Sequence, residues 1–135
     1  MLDYSKHKNA GGLVPWPPMA ELPFIKVTKG DPEHSGRFDV GGFGVRTMVG
    51  EWSCTPGSFE YTYAGDEFCT LLEGRVRIKC EDGKMHEYEA GDTFYTRKGE
   101  VAHWEVVETV RKIFLIHDPD AEDLAEQGSL VHEFA

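Results

Sequence analysis

The sequence predicts an all-β domain whose short strands close on themselves as a barrel or a two-sheet sandwich. Three observations carry this. Strand-like stretches recur at intervals of roughly 8 to 12 residues, each bounded by Gly, Pro, Asp or Glu-Gly turn residues. A chain of 135 residues with 40% hydrophobic and 12% aromatic content can bury one core without disulfide staples. Helical patterning is clear only near the C-terminus.

The elements follow in order. Residues 1–23 read as an N-terminal arm, because Gly11-Gly12, Pro15-Trp16-Pro17-Pro18 and Pro23 forbid a helix and disfavour a central strand. Leu13, Val14 and Trp16 give the arm an apolar side, to lie over the barrel wall or to be exchanged with a second subunit. Phe24–Val27 is a short strand ended by the turn Lys29-Gly30-Asp31-Pro32, and Arg37–Val40 is another, broken at Gly41-Gly42. Val45–Trp52 reads as a full strand with Arg46, Met48 and Trp52 on one face. After the turn Thr55-Pro56-Gly57, Phe59–Tyr63 alternates aromatic and polar residues. Glu67–Leu72 and Arg75–Cys80 flank Glu73-Gly74, read as a hairpin-like connection, and Glu81-Asp82-Gly83-Lys84 is a second hairpin signal. Thr93–Thr96, Ala102–Val107 and Arg111–His117 complete the strands. Asp120–Gln127, with an acidic start and Gly128 as a stop, predicts a short C-terminal helix. The expected plan is an arm (1–23), a barrel (24–119) and a helix with tail (120–135).

Composition narrows the function. A formal net charge of -10 opposes binding to nucleic acid or to an anionic membrane. No apolar run approaches a spanning helix, and Met1–Ala10 is too polar for a signal peptide. Cys54, Cys69 and Cys80 are odd in number and lack C-x-x-C spacing, so free thiols in a reducing cytoplasm are expected.

The motifs add a resemblance. Glu67-Phe68-Cys69-Thr70-Leu71-Leu72-Glu73-Gly74 resembles the second half of the first cupin motif, and Ala90-Gly91-Asp92-Thr93-Phe94 with Gly99 resembles the second. More narrowly, Glu51–Gly57, Asp66–Cys69, His103–Val106 and Val110–Lys112 are similar to the ureidoglycine aminohydrolase-type cupin family, over about Val45 to Ile116. The resemblance implies a cupin double-stranded β-helix, a jelly-roll barrel with a ligand pocket at one open end, and a homodimer that covers exposed sheet edges.

The family's usual metal site, two His and a Glu from the first motif and a His from the second, is not matched. Tyr61 and Tyr63 hold the two His positions, and Ala102 holds the third. Phenols stay protonated near neutrality, with a reference pKa of about 10, and ligate poorly. No cofactor is therefore expected; the alternative is a divalent transition metal on Glu67 and His103, which needs a bulge to turn His103 inward. His7, His34, His86, His117 and His132 show no ligand spacing and read mostly as surface residues.

The expected pocket has aromatic walls, Trp52 and Trp104, with Tyr61, Tyr63, Glu67 and Cys69 facing inward and one cation, Arg46 or Lys112. Glu67 is a candidate general acid or base if its surroundings are apolar, or is locked in an internal pair with Arg46 or Lys112. Cys69 is a small buried hydrophobe unless a base activates it. Three functions follow: a barrel that binds a small polar metabolite without a metal, a metal-assisted aminohydrolase acting on a ureido compound, or a dimeric scaffold whose barrel is filled by its own aromatics.

Overall fold

The computed structural model describes residues 1–4 and 11–122, and in them the chain forms nine strands. These are β1 (Val14–Pro15), β2 (Ile25–Lys29), β3 (His34–Val40), β4 (Thr47–Cys54), β5 (Gly57–Thr62), β6 (Asp66–Lys79), β7 (Met85–Glu89), β8 (Thr93–Thr96) and β9 (Val101–His117). Two of them are long enough to serve two layers. The C-terminal half of β9 pairs with β4 on one side and with the N-terminal half of β6 on the other. Its N-terminal half pairs with β5 and with the C-terminal half of β6. The first layer therefore runs β1-β3-β4-β9-β6-β8, and the second runs β2-β5-β9-β6-β7. All pairings are antiparallel, and the all-β expectation holds.

The length of β6 and β9 corrects two details of the sequence reading. Glu73-Gly74 is not a hairpin and Glu108-Thr109 is not a break; both strands run straight through. What happens there is a bend, with register shifts between Leu71 and Val76. Gly74 makes the bend possible. Its φ is 89°, and a Cβ on it would lie 2.2 Å from the Thr109 carbonyl oxygen. Only glycine lets the two bent strands nest at this distance.

Turn chemistry holds the barrel's loops. Cys80 and Lys84 close the β6–β7 hairpin, whose Asp82 carboxylate accepts from the Lys84 N–H. In the Ala90-Gly91-Asp92 turn, Asp92 accepts from the Glu89 N–H, and both Gly91 and Asp92 bond the Leu71 backbone. Gly99 and Glu100 bond the Tyr63 backbone in the same way.

The inner faces of the two layers make one core. Trp104 is its centre, 1% exposed, stacked on Phe59 and edge-on to Trp52, with ring centroids 6.0 Å apart in both pairs. At the bend end Leu71, Val76 and Val110 are fully buried. Of the N-terminal residues, Val14 and Pro15 pair with Ser35 and Gly36, and Trp16 stacks on Phe38 at 5.1 Å. Gly36 leaves the space for that indole, since a Cβ would meet it at 2.3 Å. A short 3-10 turn at Met19–Glu21 follows. The helix expected from Asp120 lies, from residue 123 onward, outside the described residues; Asp118–Ala121 is a turn.

Candidate functional site

Strand alternation turns Glu67, Cys69 and Leu71 of β6 toward the core while Phe68 and Thr70 face out. On β9 the same rule turns Lys112 and Phe114 inward and Arg111 outward. Lys112 and Glu67 therefore meet inside the barrel, Nζ to Oε2 at 2.5 Å, both nearly inaccessible. The ammonium sits between two indoles, 4.7 Å from the Trp52 ring centre and 5.0 Å from that of Trp104. Burial pulls the Lys112 pKa down, but the Glu67 carboxylate beside it outweighs that, and the net shift is upward. Lys112 thus stays an ammonium. Burial first, and the Glu67 carboxylate nearby, raise the Tyr61 pKa well above its ordinary value.

Between this pair and the open end of the barrel lies a cavity of about 250 Å³. Its wall is almost all carbon: Trp52, Phe59, Trp104 and Phe114 from the strands, and Met19, Leu22 and Phe24 from the segment that crosses the mouth. Polar groups reach it at Glu67, Lys112, Tyr61, His34 and Asp118. His34 is buried, which corrects its reading as a surface residue. Its Nδ1 accepts from the Trp52 indole N–H at 3.1 Å, and its Nε2–H donates to the Pro17 carbonyl at 2.7 Å. That pattern needs the neutral ring, and burial lowers its pKa accordingly.

The remaining expected site residues fall as follows. Tyr63 is buried behind Tyr61, ring centres 4.4 Å apart, and accepts from the Trp104 N–H at 3.2 Å. It does not line the cavity, and neither does Cys69. Burial pushes the Cys69 thiol up to about 12 against the pull of Lys112, so it is no nucleophile. Arg46 is not the cavity's cation: its Nε donates to the Ala121 carbonyl, beside the end of β9. The strand starts at Thr47, and Arg46 belongs to the turn before it.

His103 lies on the outer side of β9, its Nε2 3.0 Å from the Thr28 hydroxyl, and no bulge brings it to Glu67. The residues present do not fit a metal ion. Burial raises the Tyr61 and Tyr63 pKa values well above their ordinary value, keeping both phenols protonated, and Lys112 already occupies the carboxylate. Among the described residues no three His, Cys, Asp or Glu side chains converge on one point.

A second buried acid went unseen in the sequence. Glu51, fully buried on the outer face of β4, meets Arg111 at 3.2 Å, and Arg111 reaches Glu73 at 2.8 Å. Arg37 lies 3.9 Å from the other Glu51 oxygen and pairs with Asp39. Two arginines on neighbouring strands flanking one glutamate were the only available sign.

Comparison with known proteins places this architecture. No curated protein matches the chain. Solved structures do, among them a DUF861 family protein from Thermotoga maritima, 36% identical over 49% of this chain and 75% of that one, with a TM-score of 0.47. A DUF861 protein of unknown function from Pseudomonas syringae pv. tomato is 25% identical over 77% of this chain, with a TM-score of 0.65; the match spans only 43% of that protein. The EutQ protein of Clostridium difficile shares the fold at 18% identity, with a TM-score of 0.55 over 66% of this chain and 65% of that one. Among the described residues no helix is long and apolar enough to cross a membrane. The EutQ-like cupin domain model matches residues 42–114, from the approach to β4 into the C-terminal half of β9, and with more than half of the sequence so accounted for, this chain belongs to the EutQ-like cupin domain family.

Proposed function

We propose that the barrel binds a small, uncharged, mostly apolar molecule of about one ring, with a single carbonyl or hydroxyl group directed at the Glu67–Lys112 pair. The observation that carries this is the carbon-walled cavity ending on a closed ion pair. A cavity of about 150 Å³ already holds benzene, so about 250 Å³ suits a substituted single ring. Stacking faces are supplied by Trp52, Phe59 and Trp104. Lys112 has three N–H donors, of which Glu67 takes one, leaving donors for a neutral acceptor.

Charge balance selects the class of ligand. Glu67 and Lys112 cancel, so a second carboxylate would leave two acids around one ammonium in a dry site, and an amine would leave the reverse. This reading departs from the small polar metabolite expected of the sequence, in favour of a neutral ligand with a largely apolar body. The ureidoglycine aminohydrolase reading rests on sequence blocks alone; the donors around Glu67 do not suit its metal, and no feature of the cavity favours a ureido substrate.

Trp52 and Trp104 make the test direct, because a ligand between them alters their fluorescence. Titration with acetophenone and benzyl alcohol is expected to saturate, with benzoate and benzylamine at least tenfold weaker. A charged member binding as tightly as the neutral ones, or no response from any of the four, would count against the proposal.

A further inference from the structure

The two charges at the inner end of the cavity reach each other lengthwise. Glu67 stands opposite Ile116 and Lys112 opposite Leu71, so their positions lie four residues apart along β6. That is roughly 13 Å of strand, and the side chains meet by extending toward one another along the barrel wall. Both line the cavity. Nζ engages Oε2 at 2.5 Å, which leaves lone pairs on Oε1 and further N–H donors on the ammonium. An acid and a base thus stand side by side against one space of about 250 Å³. The Trp52 and Trp104 rings, 4.7 and 5.0 Å away, fix the ammonium in place.

From this arrangement we propose a further activity: the pair enolises a neutral ketone of about one ring, Glu67 taking a proton from the carbon next to the carbonyl while Lys112 holds the carbonyl oxygen. The inference rests on the binding reading above and adds a reaction to it. A carbonyl oxygen that accepts from Lys112 at about 2.9 Å brings its neighbouring carbon alongside Oε1, within reach of a general base. In the step the C–H bond breaks and its proton goes to Glu67. The C–H electron pair becomes the carbon–carbon double bond, and the carbonyl π pair moves onto oxygen beside the ammonium. Return of a proton from Glu67 to carbon restores the ketone, and nothing is oxidised or reduced.

Charge balance favours this reaction for the same reason that it disfavours a charged ligand. Glu67 becomes neutral as the ligand oxygen becomes negative, so one anion faces one cation before, during and after the transfer. The carbon walls strengthen the attraction between enolate and ammonium, and the ammonium is in place before the charge develops. Lys112 is held protonated, so it serves here as an acid and not as a nucleophile.

Deuterium exchange tests this with 2-indanone, a neutral ketone on one benzene ring whose C–H bonds beside the carbonyl are acidified by that ring. The full chain and the ketone are mixed in D2O near neutrality, and loss of the CH2 proton signal is followed by NMR. Tryptophan fluorescence reports binding in the same samples. Exchange of the bound ketone is expected to run about a hundredfold faster than in the same buffer without protein. Benzyl alcohol, which binds the same cavity and has no carbonyl, is expected to suppress it. Glu67→Gln is expected to abolish it while 2-indanone still alters the fluorescence. If Glu67→Gln does not fold, the benzyl alcohol competition on the wild type decides. Binding without acceleration would overturn this inference and leave the binding reading standing, whereas no fluorescence response would overturn both. Acceleration that benzyl alcohol does not suppress, or that persists in folded Glu67→Gln, would also overturn it.

Discussion

Arg111 and Lys112 are adjacent in the chain and lie back to back on β9, each against a buried glutamate, yet the two ion pairs are built on different terms. The outer one is a network. Arg111 holds both Glu51 and Glu73, Arg37 stands behind Glu51, and Glu73 is largely solvent-exposed. Its members come from β3, β4, β6 and β9, so it fastens four strands where two of them bend. The inner one is a single contact. Among the described residues Lys112 has Glu67 as its one close anion, supported by two aromatic faces. The network is redundant and borders solvent; the single pair has no spare partner among the described residues and borders a cavity. The first arrangement suits a clasp and the second a recognition site.

This difference can be broken one residue at a time. The largest loss is expected from Lys112→Met, which strands Glu67 in an apolar interior and should cost about 3–5 kcal/mol in urea denaturation. The double variant Glu67→Leu/Lys112→Met should recover most of it, because well-packed apolar residues replace a buried pair at little cost. Next comes Gly74→Ala, about 2–3 kcal/mol, from a left-handed backbone and a collision with the Thr109 carbonyl. Glu51→Gln should cost less, about 1–2 kcal/mol, since Arg111 keeps Glu73. A Glu51→Gln loss equal to that of Lys112→Met would erase the contrast between network and single pair.

The smallest effect is a pH dependence at His34. Burial lowers its pKa in the folded chain, so as pH falls below about 6.5 the unfolded chain takes up the proton first. Its contribution is complete above that pH and is lost as pH falls through the folded value. The wild type should therefore lose more stability than His34→Gln between about pH 7.5 and 5.5, and equal losses would remove His34 from the account.

Much of this was legible in the sequence because a strand's period is two. Alternation placed Glu67, Cys69 and Leu71 on one face, Tyr61 with Tyr63, and Trp104 with Ala102 and Val106, and the structure finds these residues turned inward or buried. Register and bends were not legible. Glu73-Gly74 carries the local signal of a tight turn, and only the partner strand reveals a bend, because Gly74 is required by Thr109, which lies far along the chain. The choice between Arg46 and Lys112 was open for a similar reason: which cation meets Glu67 depends on the pairing of β6 with β9 and on where β4 begins. His34 was missed because the strand was expected to start at Arg37, three residues late. Glu51 was missed because an outward position normally predicts solvent, and here two arginines cover it.

The central claim is that a charged lysine lies between two indoles at the inner end of the cavity. Lysine-selective nitrogen–proton NMR of the ammonium groups reads this directly. One slowly exchanging signal is predicted, its protons displaced upfield by the Trp52 and Trp104 ring currents, absent in Lys112→Met and shifted when a neutral ring-sized ligand is added. If every lysine ammonium instead exchanges rapidly at the position of a solvated side chain, Lys112 is not held between the indoles and the account of the site fails.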